Sequence, residues 1–278
     1  MAKLGVCIET FFTDLPYPER IRRAAECGYK AYEFWFPEKR FDGKALVDEE
    51  KDLDRFAELN ATLGLTTTDF VLNHSAGGVV ASLIDRKDRS KILDAIDRVA
   101  ALAKKVGCRN LISGSGNTIP GQKREEAVGN MVEGLAAAGK ALAKHGITIL
   151  LEPWNSKVDH PGNFLDDPSL AVEVLKMVNL PNVKLLYDIY HNQIMAGDVV
   201  SFIRQNIAHI GHFHVAGVPG RHEPDPSELN YAFILQEIDK LGYTGHVGLE
   251  YWPTVESERS LSRSLRYLTA PRNILEVG

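Results

Sequence analysis

The order of the predicted secondary structure is the feature that most restricts the fold of this chain. Short apolar runs alternate with longer stretches whose apolar residues recur at helical spacing. Strands are predicted at residues 4–9, 31–35, 66–73, 110–113, 148–152, 183–189, 210–215 and 246–251. Helices are predicted at residues 18–27, 48–63, 88–106, 124–144, 168–178, 199–207, 231–241 and 258–268. This strict alternation of eight units predicts a parallel sheet closed into a single (β/α)8 TIM barrel, an α/β fold.

Glycine separates a predicted helix from the next strand in several of these units. The pairs are Cys27-Gly28, Leu63-Gly64, Val106-Gly107, His145-Gly146 and Leu241-Gly242. Glycine commonly ends a helix because it adopts the left-handed conformation without a steric cost. A doubly wound open sheet is the alternative, but the first strand lacks the G-x-G-x-x-G turn of a dinucleotide-binding sheet. No linker-like stretch divides the chain, so residues 1–278 are predicted to form one domain.

The composition is that of an ordinary globular protein, with 44% hydrophobic and 25% charged residues, which argues against disorder. A net charge of −5 argues against general affinity for nucleic acid or an anionic membrane. The three cysteines are odd in number and lack C-x-x-C spacing, so reduced thiols in a cytoplasm are expected. No apolar run approaches a membrane span in length. A cytoplasmic location is therefore predicted, while the oligomeric state, a homo-oligomer included, stays open.

Four strands in the second half of the chain end on an acidic or imidazole side chain. The fifth strand shows this clearly, because Glu152 closes an apolar run and Pro153 cannot donate to the sheet ladder. The four residues are Glu152, Asp188, His214 and Glu250. The loops after the strands build the active site of such a barrel, so we expect these side chains to converge.

Three carboxylates and one imidazole at one mouth would repel each other unless a cation joined them. An oxygen-rich set with one nitrogen favours Mn²⁺ or Mg²⁺, with Co²⁺ and Zn²⁺ as alternatives. A single acid at a strand end is more often a helix N-cap or part of a surface ion pair, so the hypothesis depends on all four together. His212 shares a strand face with His214 and is interpreted as a core histidine, with a ligand role as the alternative.

A set of short motifs runs through the chain. They are Leu151-Glu-Pro-Trp-Asn155, Asp159-His-Pro-Gly162, Tyr187-Asp-Ile-Tyr-His191, His212-Phe-His-Val-Ala216, Val218-Pro-Gly-Arg-His-Glu-Pro224 and Glu228-Leu-Asn-Tyr231. These motifs resemble the hydroxypyruvate isomerase family, one of the xylose isomerase-like barrels that also include the ketose 3-epimerases. Phe12-Thr-Asp-Leu-Pro16 and Glu33-Phe-Trp-Phe-Pro37 fit the same family, so the resemblance covers nearly the whole chain.

The resemblance implies roles for individual residues. Those matching the metal ligands of the epimerase branch are Glu152, Asp188, His214 and Glu250. Glu152 and Glu250 also match its paired acid/base carboxylates. His214 brings the chain closer to the epimerases, whereas the Pro-Gly-Arg-His-Glu-Pro segment is closer to hydroxypyruvate isomerase, so the two signals differ about the substrate.

Four further residues are candidates for contact with a small hydroxy-carbonyl substrate. By the resemblance, His191 and Arg221 match substrate-binding residues. Arg221 can also hold a substrate carboxylate in a two-point fork, with a surface role as the alternative. His74 and His160 follow the third and fifth strands, where substrate would be reached, although each can instead order a loop.

The residue types suit isomerisation of a short hydroxy-carbonyl compound. Moving a carbonyl requires removal of a proton from the adjacent carbon and its return to the neighbouring carbon or the opposite face. The leading hypothesis is a metal-assisted isomerase of hydroxypyruvate or a related small oxo acid, with a ketose 3-epimerase as the runner-up. A zinc phosphodiesterase of the apurinic endonuclease type would call for more histidines and a basic face. A non-catalytic sugar or acid binder is a third class.

Overall fold

A computed structural model describes residues 2–270, which form nine strands of one parallel sheet and a separate two-stranded hairpin. In chain order the strands are β1 (Lys3–Cys7), β2 (Ala31–Glu33), β3 (Lys39–Phe41), β4 (Leu46–Asp48), β5 (Thr66–Thr67), β6 (Phe70–Asn73), β7 (Asn110–Ser113), β8 (Thr148–Leu151), β9 (Val183–Asp188), β10 (Ile210–Val215) and β11 (His246–Leu249). The order in the sheet is β5-β2-β1-β11-β10-β9-β8-β7-β6.

The two ends of this sheet belong to a single interrupted strand. β5 pairs with β2 and β6 pairs with β7, and only Thr68 and Asp69 separate β5 from β6 in the chain. The predicted third strand, residues 66–73, therefore occurs as two halves that join the edges of the sheet. The predicted single (β/α)8 barrel is confirmed, with β1 and β11 paired in parallel.

Helices follow the strands and cover the outside of the barrel. They are α1 (Tyr17–Glu26), α2 (Leu53–Leu63), α3 (Arg89–Lys105), α4 (Arg124–Ala143), α5 (Pro168–Val178), α6 (Ile189–Met195), α7 (Val199–Asn206), α8 (Tyr231–Lys240) and α9 (Ser257–Thr269). Most bounds lie within one or two residues of the predicted ones. Within residues 2–270, no helix is long and apolar enough to cross a membrane.

The predicted helical start at Asp48 is wrong, because Asp48 ends β4 and α2 begins only at Leu53. The carboxylate of Asp52 accepts the backbone N–H of Arg55 and thereby caps α2. The charged stretch between the predicted second strand and second helix forms the β3–β4 hairpin. This hairpin lies at the mouth of the barrel, where Phe41 packs against Trp35 and Trp252.

A buried lysine fixes the base of the hairpin. The ammonium of Lys51 donates to the backbone carbonyls of Phe36, at 2.6 Å, and Lys39. It also lies 3.0 Å from Oε1 of Glu9, and both side chains are almost fully buried. The other oxygen of Glu9 accepts the hydroxyl of Tyr17. The donors and acceptors of this group are thus matched, which indicates a structural role.

The barrel interior is apolar on one side and charged on the other. Successive residues of a strand point to opposite faces, so Leu150 and Glu152 share the inner face, as do Leu186 and Asp188. The apolar side is a small buried cluster of Phe36, Val71, Ile112, Leu150 and Leu186. The charged side lies at the carboxyl ends of β8, β9, β10 and β11, where the strand-end residues described next are found.

Candidate functional site

Four buried side chains meet at the carboxyl ends of neighbouring strands. Glu152 and Glu250 directly follow β8 and β11, Asp188 ends β9, and His214 lies near the end of β10. One oxygen or nitrogen from each lies within 4.8 Å of the others, and no side chain of the four is more than 10% exposed. The predicted convergence at the barrel mouth is therefore present. We call these residues the outer group.

Several polar atoms of the outer group have no hydrogen-bond partner although they are buried. They are Oε1 of Glu152, Oδ2 of Asp188 and both ring nitrogens of His214. A buried polar atom without a partner costs about 1–3 kcal/mol, more if it is charged. Three carboxylates, two of which have a free oxygen, and one imidazole nitrogen form a donor set that suits a divalent cation. The residues present therefore fit a metal ion.

Positive charges compensate the carboxylates within the protein. Burial alone would lower the pKa of His214, but Glu33 and Glu250 outweigh it and raise that pKa well above its ordinary value. Burial also acts to raise the pKa of Glu250, but Arg221 and His214 lower it overall. Burial dominates at Asp188 and raises its pKa to about 7. The outer group is therefore a buried cluster in which each charge changes the pKa of its neighbours.

Arg221 reaches the outer group from the loop after β10. Its Nη2 lies 2.6 Å from Oε2 of Glu250 and 3.6 Å from Oδ2 of Asp188. Its backbone has a left-handed φ of 56°, and its carbonyl accepts the backbone N–H of Trp252. The other oxygen of Glu250 accepts the indole N–H of Trp35 at 2.7 Å. Glu250 is thus held from both sides.

His191 is fixed in one tautomer by Asn155. The amide oxygen of Asn155 accepts the backbone N–H groups of Val158 and Asp159, so its Nδ2 must face the ring. That Nδ2 lies 2.6 Å from Nδ1 of His191, which therefore accepts, leaving the proton on Nε2. Burial lowers the pKa of His191 well below its usual value, so the ring is neutral. Its Nε2 lies 3.4 Å from Asp188.

A cavity of about 290 Å³ opens above these residues. One wall is apolar, and Glu152, Glu250, His191 and Arg221 lie in the other. The complete lining is Trp35, Phe36, Leu46, Val71, His74, Ile112, Glu152, Trp154, Asp159, His160, His191, Arg221, Glu250 and Trp252. Asp188 and His214 contact the polar wall from below rather than line the cavity.

His74 and His160 lie on either side of Trp154. The ring of His160 stacks on Trp154 with centroids 5.0 Å apart, and His74 meets the same indole edge-on at 5.1 Å. Burial lowers the pKa of His74, and burial followed by the charge of Arg221 lowers that of His160 to about 4. Both rings are neutral near neutral pH. The structure thus brings all eight predicted site residues to one region.

A second buried group lies deeper in the barrel, and the sequence interpretation missed it. It consists of Glu33, Asp69, His212 and His214. His212 is buried as predicted, but its Nε2 lies 3.2 Å from Glu33 and 3.4 Å from Asp69. The available signal was an acidic residue inside a predicted strand, because Glu33 lies in the predicted strand 31–35 and Asp69 in the predicted strand 66–73. We call Glu33, Asp69 and His212 the inner group.

The fold and the site together define a parallel (β/α)8 barrel with a buried carboxylate–imidazole group at its mouth that can hold a cation. The chain belongs to the xylose isomerase-like TIM barrel family, whose model matches residues 21–270. Within it, the chain groups with relatives named hydroxypyruvate isomerase and 2-oxo-tetronate isomerase. It is an enzyme of the isomerase or epimerase type.

Two relatives illustrate this grouping. A putative hydroxypyruvate isomerase of Danio rerio is 33% identical over 96% of both chains. A 2-oxo-tetronate isomerase of Pectobacterium atrosepticum is 30% identical over 94% of this chain and 96% of that protein.

Solved structures show the same barrel. A Brucella melitensis protein described as an AP endonuclease of family 2 is 34% identical, with a TM-score of 0.83 over 96% of this chain and 99% of that one. An L-ribulose 3-epimerase at 19% identity has a TM-score of 0.72 over 100% of this chain and 89% of its own. A zinc-bound IOLI protein at 16% identity has a TM-score of 0.76 over 98% of this chain and all of that one. At these low identities, the L-ribulose 3-epimerase and the IOLI protein show that the fold is shared and nothing further.

Proposed function

We propose that this enzyme interconverts hydroxypyruvate, or a related small 2-oxo acid with an adjacent hydroxyl, and its semialdehyde isomer. The observation that carries the proposal is the position of Arg221, whose guanidinium lines the cavity beside Glu250. It contacts the acids through Nη2, so its remaining N–H groups are available to a substrate carboxylate. A free ketose offers no carboxylate for this fork. The names of the relatives support the same substrate class.

The outer group would hold a divalent metal ion, with Mn²⁺ or Mg²⁺ favoured by the three carboxylates and Co²⁺ or Zn²⁺ as alternatives. The zinc in the IOLI structure supports cation binding on this fold. A bound cation supplies Lewis-acid stabilisation of the negative charge that develops on the substrate oxygens.

Glu152 and Glu250 are proposed to move the carbon-bound proton. One carboxylate removes a proton from the hydroxyl-bearing carbon, giving an enediolate, and the other delivers a proton to the former carbonyl carbon. The indole N–H of Trp35 donates to Oε1 of Glu250. The other oxygen, Oε2, accepts from Arg221 on the cavity side. The hydroxyl proton moves between the two oxygens. The carboxylate that took the carbon-bound proton releases it to water, and water returns a proton to the other carboxylate before the next turnover, so the reaction needs no other reactant.

His191 is proposed to hydrogen-bond a substrate oxygen. Its protonated Nε2 has no hydrogen-bond partner among the described residues, and the ring lines the cavity. A neutral imidazole can donate a hydrogen bond to a substrate oxygen that becomes negatively charged during the reaction. The imidazole does so without carrying a positive charge of its own. The neutral His74 and His160, which also line the cavity, complete the proposed contacts.

A ketose 3-epimerase is the second candidate, because His214 completes a cation-binding group like that expected for the epimerase branch. The structural likeness to L-ribulose 3-epimerase fits this candidate through the fold. Phosphodiester cleavage is less favoured, because the chain carries a net charge of −5. Abasic DNA cleavage by the purified protein would overturn that ranking.

The deciding experiment incubates metal-stripped protein in D₂O with hydroxypyruvate and with free ketoses, restoring Mn²⁺, Mg²⁺, Co²⁺ or Zn²⁺ in turn. Mass spectrometry then measures deuterium incorporation. We expect carbon-bound deuterium in the hydroxypyruvate pair, only with a metal present. Deuterium entering a ketose at C3 but not entering hydroxypyruvate would contradict the proposal. Glu152→Gln should abolish exchange while circular dichroism shows an intact fold.

A further inference from the structure

His214 lies between the outer and inner groups and presents one ring nitrogen to each. Its Nδ1 lies 3.2 Å from Oε2 of Glu250 and 3.7 Å from Oε1 of Glu152. Its Nε2 lies 3.1 Å from Oε1 of Glu33. An imidazole that ligates a metal ion uses the lone pair of one nitrogen and keeps an N–H on the other, so in the metal-bound protein the two nitrogens of this ring have different roles.

Glu33 is anchored on one side and open on the other. Its Oε2 accepts from Nε2 of His212 at 3.2 Å and from the hydroxyl of Thr68 at 3.3 Å. Its Oε1 has no hydrogen-bond partner, and neither has Nε2 of His214. These two buried atoms are 3.1 Å apart but not aligned for a hydrogen bond. A small rotation of the ring would therefore satisfy both.

The strand that leads to Glu250 leaves room for the Glu33 carboxylate. A Cβ atom on Gly248 would lie 2.4 Å from both oxygens of Glu33, so a side chain there would displace the carboxylate. Gly248 is also the register partner of His214 in the β10–β11 pair. The glycine thus lets an acid from β2 reach beneath an imidazole on β10.

We propose that Glu33 is a positioning residue of the metal centre, which accepts the Nε2–H of His214 and so presents the Nδ1 lone pair to the outer group. The inference rests on the proposed function, because it assumes that the outer group binds a metal ion. Histidine ligands commonly donate their second N–H to a carboxylate, and loss of that carboxylate typically weakens metal binding 10- to 100-fold. His212 and Thr68 in turn orient Glu33.

The test measures Mn²⁺ affinity of the full-length protein by titration calorimetry. Glu33→Gln keeps the volume and removes the charge, and we expect a Kd about 10- to 100-fold higher. Glu237→Gln is the matched control, because Glu237 is a buried acid on α8 that pairs with Arg204 and Lys240. Its Kd should equal that of the unaltered protein. An equal Kd for Glu33→Gln and the unaltered protein would overturn the positioning role alone.

A second measurement needs no variant and so does not depend on whether Glu33→Gln folds. Nitrogen-15 NMR of histidine-labelled, Zn²⁺-loaded protein should show Nδ1 of His214 bound to metal and a proton on Nε2. Metal bound through Nε2 would overturn the proposal. If the unaltered protein binds none of the divalent ions, the metal part of the proposed function fails as well, which separates the two failures.

Discussion

Nδ2 of Asn155 lies 2.6 Å from Nδ1 of His191, and this contact decides which ring nitrogen carries the proton in the cavity wall. The backbone N–H groups of Val158 and Asp159 donate to Oδ1 of Asn155 and so fix the orientation of its amide. The amide N–H in turn fixes the tautomer of the His191 ring. The motif Leu151-Glu-Pro-Trp-Asn155 therefore supplies the strand-end carboxylate of Glu152 and, three residues later, the amide that determines the tautomer of His191.

Asn155→Asp should reverse the tautomer of His191. The new carboxylate would accept the proton of Nδ1, leaving a lone pair on Nε2 where a donor is needed. We expect kcat to fall about 100-fold, at the lower end of the range for loss of one hydrogen-bond donor to an oxygen that gains charge, with a smaller change in KM. Steady-state kinetics and nitrogen-15 NMR of His191 measure the two effects.

Asn206→Asp is the control for this change, because the side-chain amide of Asn206, at the end of α7, donates to the carbonyl of Phe202 and lies outside the cavity lining. That variant should keep its kcat. An unchanged kcat in Asn155→Asp, with the tautomer reversed, would remove His191 from the reaction.

Arg221→Lys should separate substrates that carry a carboxylate from those that do not. Lysine keeps the positive charge beside Glu250 but cannot form the two parallel hydrogen bonds that a guanidinium makes to a carboxylate. A charge-assisted hydrogen bond is worth about 1.5–3 kcal/mol, so kcat/KM for hydroxypyruvate should fall roughly 10- to 150-fold. A neutral ketose should lose much less. Comparable losses for both substrates would assign Arg221 to the outer group rather than to the carboxylate, and Arg204→Lys on α7 serves as the surface control.

The gathering of Glu152, Asp188, His214 and Glu250 followed from sequence because the barrel topology brings consecutive strand ends together. Each of these residues marked its strand end by interrupting an apolar run. Topology alone thus predicted which side chains meet, whereas their protonation and their hydrogen-bond partners required the structure.

Other features depend on contacts that sequence periodicity does not encode. α6 begins directly after β9, because Oδ1 of Asp188 accepts the backbone N–H groups of Tyr190 and His191, so no loop separates strand from helix. The β3–β4 hairpin is rich in charge and lacks the alternation of a half-buried strand. Glu33 ends β2 and Asp69 lies between β5 and β6, both far in sequence from His212 on β10, so their contact with His212 follows from closure of the barrel.

Lys51→Met should destabilise the fold strongly. The change leaves Glu9 buried without its cation, and loss of one partner of a buried ion pair typically costs about 3–5 kcal/mol. Urea denaturation measures the free energy of unfolding. The double variant Lys51→Met/Glu9→Gln should recover part of the loss because no charge remains unpaired. A double variant as unstable as the single one would show that Lys51 acts through its bonds to the Phe36 and Lys39 carbonyls.

His246 should make the protein less stable in mild acid. Burial, followed by the charges of His212 and Lys3, lowers its pKa to about 4. Between roughly pH 4 and 6.5 the unfolded chain binds a proton that the folded protein excludes, so stability falls as pH falls through this window and is unaffected above it.

His246→Gln should therefore reduce the dependence of the unfolding free energy on pH below about pH 6.5. The slope should change by less than about 1.4 kcal/mol per pH unit, because solvent partly screens this ring. Denaturation at several pH values tests this. His145→Gln, an exposed site after α4, is the control, and an unchanged slope in His246→Gln would contradict the prediction.

Removal of a bound metal should lower the melting temperature, because the outer group then keeps buried acids without partners. Mn²⁺ at about 100 times its Kd would stabilise the folded protein by about 2.7 kcal/mol, which corresponds to about 5–10 °C for a chain of this size. Asp188→Asn should lose most of this gain, although its amide oxygen can still cap α6. Asp167→Asn changes another N-cap, that of α5, and should keep the full gain. Thermal scans with Mn²⁺ and with chelator compare the three proteins, and an equal Mn²⁺ shift in Asp188→Asn would exclude Asp188 as a ligand.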